Sequence, residues 1–322
     1  MNKNNYISRT KLLAVIIAIV PIFSASLASA QTASTRTPLR VAYVPVAAWL
    51  PVWVAKEKGI FDKNGLDVTL TKFANVVSLP VTLGKQFDLA PATAPDLLNA
   101  MASGLNVTAV TGGTVETEAN QSYQMMVRTD AGINSPKDLN GKRIATAGIA
   151  SVMNIAFINW MKKNGGDPQS TTIVEAPFTS MMEQLKANRI DAVQALQPFV
   201  NQMKQAGFKS LGDPMLSVED PVLFAFWIAE MNWARANQAT LKRWSEAIAE
   251  AIDLIKSNDA DARAILAQYT GLPAPVAALV TYPAWRLDIS AAQIEVWHKV
   301  QVSQGRNLPA FDRTKVLTDS RK

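Results

Sequence analysis

The residues in this chain that could meet a small molecule are aromatic and hydrogen-bonding groups at the ends of apolar runs. Material for covalent or metal chemistry is scarce. The 322 residues contain no cysteine and one histidine, His298, on a late amphipathic stretch. That excludes disulfides, thiolate metal sites and cysteine nucleophiles, and leaves little for a transition-metal centre. No Gly-x-Ser-x-Gly elbow and no paired carboxylates stand where strands are expected to end. Recognition is the chemistry that remains. Trp49, between Pro45 and Pro51 in PVAAWLP, reads as an exposed flat apolar wall with one N–H donor, or as a cap on the local core. Thr93 stands between an expected strand and helix; its hydroxyl can cap that helix or donate to a ligand oxygen. Gly113, with Thr111 and Gly112, permits close backbone approach and equally suits any tight turn. Ala150 and Ser151 open an expected helix whose first amides lack partners, a site for a sulfonate or carboxylate, while Ser151 also serves as a helix cap. Gln197, before Pro198, is a neutral donor and acceptor. Tyr123 and Trp227 fall on two expected crossings between lobes, where each could reach a ligand or pack behind the hinge. The pairs Met125, Met126 and Met181, Met182 read as core filler, and Trp160, Trp233, Trp244, Trp285 and Trp297 as helical core residues.

These positions acquire meaning from the elements around them. Residues 39–73 read as strand, loop, helix, turn and strand. LRVAYV is apolar and β-branched, VWVAKEKG is a short helix closed by Gly59, and DVTLTKF alternates. This βαβ unit sets the Trp49 loop at the carboxyl end of a strand, where open α/β sheets bind ligands. Strands and helices then alternate through the chain, the pattern of a sheet covered on both faces. NVVSLPVTLGKQ reads as a helix, FDLAPA as a strand, TAPDLLNAMASG as a helix and NVTAVTGG as a strand ending in glycines. A second α/β run begins at QSYQMMVRTD. The apolar strand VLFAFWIAE returns the chain to the first lobe, and Asn232 or Asn237 opens a long helix. Shorter helices follow at DADARAILAQYTG, APVAALVTY and SAAQIEVWHKVQVSQG.

The fold expected is α/β: a two-lobed clamshell, each lobe a mainly parallel sheet flanked by helices. Lobe 1 takes residues 38–122 and 218–322, with a helical C-terminal cap, and lobe 2 takes residues 123–217.

The first 30 residues read as an export signal. Lys3, Arg9 and Lys11 precede an apolar run at 12–23, and Ala28, Ser29 and Ala30 form a cleavage pattern with the cut after Ala30. The run is shorter than the ~20 residues a membrane span needs. The leader carries three of the positive charges and no acid, so the formal net charge of +6 falls to about +3 after cleavage. With no basic cluster, nucleic acid is not an expected partner. A periplasmic monomer without cofactor is the simplest expectation.

VAKEKGIFDKNGLDV, SPKDLNGKRIATAG, MMEQLKANRIDAVQALQPF and SQGRNLPAFD, in that order, resemble periplasmic solute-binding proteins of the sulfonate, nitrate, taurine and thiamine-precursor type. The resemblance covers nearly all of the chain after the leader. It implies two lobes closing on a small organic solute and delivery to an ABC permease and its ATPase. No Walker-type motif occurs, so the chain itself is not that ATPase. Some relatives that bind amines carry an acid where this chain has Gln197, a departure that disfavours an amino-group ligand. The ligand expected is an organic anion, an alkyl or aryl sulfonate or an aromatic carboxylate. The alternative is a neutral heteroaromatic such as a thiamine-precursor pyrimidine. Enzymes on the same scaffold rely on reactive Cys or His groups, whereas this chain has no Cys and one badly placed His, and a transcriptional effector would need a helix-turn-helix before residue 39.

Overall fold

A computed structural model describes residues 36–73 and 76–318. The leader and its expected cleavage point lie outside the described residues.

The apolar, β-branched run at residues 39–44 enters strand β1 (Thr37–Tyr43), which pairs in parallel with β2 (Leu66–Lys72). Helices α1 (Leu50–Glu57) and α2 (Ile60–Lys63) connect them. Gly59 separates the helices at φ +67°, a left-handed conformation that costs glycine least. Strand β3 (Ala90–Ala92), helix α3 (Ala94–Ala102) and strand β4 (Val107–Glu116) follow. The helix expected just before β3 is absent: Val76–Ser78 and Pro80–Thr82 make two 3-10 turns. Pro80 lacks an amide donor, and the β-branched Val76, Val77, Val81 and Thr82 crowd a helix.

The chain then crosses to a second set of strands. These are β5 (Tyr123–Val127), β6 (Arg143–Thr146), β7 (Thr172–Glu175), β8 (Ala192–Leu196) and β9 (Lys209–Ser210). Helices α4 (Val152–Lys163), α5 (Phe178–Lys186) and α6 (Phe199–Gln205) lie between them. Strand β10 (Val222–Glu230) carries the chain back. Then come α7 (Met231–Ala236), α8 (Gln238–Ser257), α9 (Asp259–Thr270), α10 (Ala274–Ala277), strand β11 (Ala284–Trp285), α11 (Ala291–Ser303) and α12 (Arg313–Val316). Glu230 caps α7, accepting from the Asn232 and Trp233 amides, and Asn237 stands at the N-cap of the long helix α8, so of the two asparagines it is Asn237 that opens it. Trp285 sits on a strand, not on a helix.

The first lobe holds the parallel pair β1–β2 and a sheet of order β11-β4-β10-β3, with a single bridge from Val41 to Leu89 joining the two. Strand β10 runs antiparallel to β3 and β4 because it arrives from the other lobe. The second lobe is one sheet, β7-β6-β8-β5-β9, in which β7, β6 and β8 are parallel and β5 is antiparallel to β8. Each lobe therefore mixes a parallel core with one strand contributed by the crossing. In the second lobe, alternation along β5 sends Met125 and Met126 into separate cores on the two faces of the sheet.

Candidate functional site

Between the lobes lies a cleft of about 740 Å³, within the size range of small-molecule sites. Its walls come from the segments after β1, β2 and β3 and from β10 on one side. On the other side they come from the segments after β6, β7 and β8. The carboxyl ends of the parallel strands thus converge on one space. The lining is mostly apolar: Val44, Val46, Val152, Met153, Phe178, Leu196, Phe199 and Phe224 all contribute.

Of the residues singled out by sequence, Trp49, Thr93, Ser151 and Gln197 line this cleft. Trp49 is not the exposed wall its loop suggested. Residues 47–49 form a 3-10 turn leading into α1, and Trp49 is only 3% exposed. Its ring meets Trp227 edge to face at 4.7 Å, and Trp227 meets Trp244 at 5.1 Å. The Trp285 indole N–H donates to the Ala48 carbonyl at 3.0 Å, pinning the turn from behind. Thr93 precedes α3, and its hydroxyl donates to Asp96 Oδ2 at 2.6 Å. Ser151 caps α4, accepting from the Asn154 amide at 3.3 Å. Val152 and Met153, the first two residues of α4, also line the cleft, and their amides precede the first intrahelical bond.

Gln197 is 3% exposed. Its Nε2 donates to Asn201 Oδ1 at 3.0 Å, and Asn201 Nδ2 donates to the Leu279 carbonyl of the other lobe. The Leu279 carbonyl can only accept, which fixes the Asn201 amide and through it the Gln197 amide. Gln197 Oε1 is left buried without a partner among the described residues. The lobes also meet where Gln304 Nε2 donates to the Ile155 carbonyl at 2.9 Å.

Gly113, Tyr123, Ala150 and Trp227 lie off the cleft lining. Gly113 and Gly112 sit inside β4, not at its end. A Cβ on Gly113 would run into the Ala225 carbonyl and one on Gly112 into the Arg286 carbonyl, so close strand packing accounts for both. The Tyr123 side chain is fully buried and its hydroxyl donates to the Met153 carbonyl at 3.2 Å. Burial holds its pKa well above the ordinary phenol range. Ala150 is exposed beside the helix start. Trp227 is 2% exposed within the aromatic stack.

Three charged groups in the lining escaped sequence reading: Lys72, Asp96 and Glu175. Lys72 ends β2 and Glu175 ends β7, both exposed. Their strand-end positions were the available signal. Lys72 makes no ion pair among the described residues and is the only cation they contribute to the cleft. Asp96 is buried, and that burial raises its pKa against the lowering effect of the Thr93 hydrogen bonds.

Behind the cleft, the two crossings between the lobes are tied by acids. Glu116 ends β4 and is fully buried; the Ser122 amide donates to its Oε2 at 2.6 Å and the Ser122 hydroxyl to its Oε1. Asp213, on the return crossing, accepts from the Met215 amide at 2.8 Å. Its pKa is pushed up to about 9 by burial, then by the charge of Glu116 and a hydrogen bond with it. Burial likewise raises Glu116. Asp213 therefore keeps its proton at neutral pH, beside Glu116.

A family model described as NMT1/THI5 like matches residues 47–262, well over half of the chain. The chain belongs to the NMT1/THI5-like family. No curated protein matches it. Among solved structures, the periplasmic aliphatic sulphonate binding protein of Escherichia coli superposes with a TM-score of 0.74 at 19% identity, covering 87% of this chain and 92% of that one. The alkanesulfonate-binding protein of Xanthomonas axonopodis pv. citri, bound to MOPS, gives 0.73 at 19% identity, covering 88% and 98%. The periplasmic nitrate-binding protein of Synechocystis PCC 6803 gives 0.70 at 14%, covering 87% and 84%. At such identities the likeness establishes the fold, the two-lobed periplasmic binding-protein fold. In both lobes of this NMT1/THI5-like member the strand contributed by the crossing is inserted between two others, β10 between β3 and β4 and β5 between β8 and β9.

Proposed function

We propose that this protein is the substrate-binding component of an ABC uptake system. It captures a small organic anion, an alkyl or aryl sulfonate or an aromatic carboxylate, and delivers it to a membrane permease. The observation that carries the reading is the apolar cleft of about 740 Å³ between two lobes, with Lys72 as its only cation among the described residues. The apolar walls suit a hydrocarbon or aromatic body. Lys72 and the start of α4, where helix amides lack intrahelical partners, suit an acidic head. No arginine stands in the described lining, so the acid is held by a point charge and amides rather than by a guanidinium fork. The protein acts as an exported periplasmic monomer, and ligand binding favours the closed arrangement of the lobes. It carries out no chemistry on the solute.

The lining acids Asp96 and Glu175 give specific support to a second reading. A neutral heteroaromatic with ring N–H groups, such as a thiamine-precursor pyrimidine, would find acceptors there.

A thermal-shift screen over alkyl and aryl sulfonates, aromatic carboxylates, nitrate and pyrimidines separates these readings. A ligand at a hundred times its Kd stabilises the fold by about 2.7 kcal/mol. The anion reading expects shifts with sulfonates or carboxylates that have an apolar body and none with nitrate. Shifts confined to pyrimidines would replace it with the second reading.

A further inference from the structure

The cleft offers few polar groups, and in sites of this kind the few polar groups choose the ligand. Asp96 stands apart among them. It is the third residue of α3 and only 5% exposed. Its two oxygens are treated unequally. Oδ2 accepts both the Thr93 amide, at 2.9 Å, and the Thr93 hydroxyl, at 2.6 Å. No hydrogen bond from the described residues reaches Oδ1, and Asp96 lines the cleft. A cap needs only the first oxygen. The second is a strong acceptor on a residue that lines a mostly apolar cavity, free to take a donor from a bound ligand.

Two features favour the ionised form against burial: the paired donors from Thr93, and the N-terminal end of α3, whose dipole stabilises negative charge. No lysine or arginine contributes to the electrostatics of Asp96, so nothing in the protein competes for Oδ1. A ligand that displaces water from this oxygen has to supply a donor in its place.

We propose that Asp96 selects the ligand through Oδ1, accepting a hydrogen bond from a hydroxyl or N–H group carried on the apolar body of the bound acid. The inference rests on the reading of the cleft as an anion site. It narrows the ligand class to acids that combine an apolar body with a donor, such as hydroxylated or amino-substituted aryl sulfonates and carboxylates. Lys72 takes the acid and Asp96 takes the donor.

The test is isothermal titration with matched pairs: benzenesulfonate against its 3- and 4-hydroxy forms, and benzoate against its 3- and 4-amino forms. A hydrogen bond to a charged group is worth roughly 1.5–3 kcal/mol, so the best donor-bearing member should bind about ten- to a hundredfold tighter than its parent. In Asp96→Asn and Asp96→Ala that ratio should fall towards one. A residue that only caps α3 would weaken both members of a pair alike and leave the ratio intact. Parents that bind the unaltered protein as tightly as their donor-bearing forms, or a ratio that survives both substitutions, would overturn the inference while leaving the anion site standing. Failure of every acid to bind the unaltered protein would overturn the anion reading itself, and this inference with it.

Discussion

Trp49 shows how far a single residue can be read from its neighbours. Its place between two prolines after a strand pointed to the cleft, and it does line the cleft. Its burial was not legible, because its partners come from far along the chain: the Trp227 ring from β10 packs on it, and the Trp285 indole from β11 holds its turn at the Ala48 carbonyl. A ring so buried is part of the core as well as the wall. Trp49→Ala should therefore lower stability by about 3–5 kcal/mol in urea unfolding, and a loss under 1 kcal/mol would show that the stack does not depend on it. Lys72 makes the opposite case. It is exposed and unpaired among the described residues, so Lys72→Gln should change stability by less than about 0.5 kcal/mol. Affinity for the acid ligand should fall about tenfold, and an unchanged Kd would remove Lys72 from the site. Lys72, Asp96 and Glu175 were missed because a strand end marks a position, not the side chain that turns inward there. Asp96 was further hidden by its ordinary place in a capping sequence, Thr93 to Asp96.

At the scale of elements, strands and long helices followed from apolar periodicity, whereas short elements did not. Proline and β-branched residues turned the segment before β3 into 3-10 turns. The two-residue strand β11 exists only through its pairing with β4, a contact no local pattern encodes. The crossings hold a feature that sequence gave no hint of, since Glu116 and Asp213 are nearly a hundred residues apart. Between about pH 4 and about 9 the folded chain keeps a proton on Asp213 that the unfolded chain has lost. This pair's contribution to stability is thus complete at low pH, declines as pH rises through that window, and levels off above it. The slope is at most about 1.4 kcal/mol per pH unit for one proton. Asp213→Asn supplies a donor to Glu116 that does not titrate. Its unfolding free energy should vary less than that of the unaltered protein between pH 6 and 9 and should exceed it at pH 9. Parallel curves for the two proteins would show that Asp213 does not hold that proton.

At the scale of the whole molecule, the alternation of strands with helices and the returning run VLFAFWIAE were enough to expect two lobes. The resemblance of SPKDLNGKRIATAG and its companions pointed to the same architecture. What lay beyond sequence was how the lobes touch. The Gln197, Asn201 and Leu279 relay joins α6 to the loop after α10, and its partners are far apart in the chain. That relay starts at the cleft lining and ends on the opposite lobe, so occupancy of the cleft and closure of the lobes share a residue. The central claim is that a small acid held between the lobes favours their closed arrangement. Small-angle scattering of residues 31–322, with and without a saturating amount of the tightest ligand from the thermal-shift screen, addresses that claim directly. The account predicts a monomer whose radius of gyration falls on binding; a radius unchanged at full occupancy would contradict it.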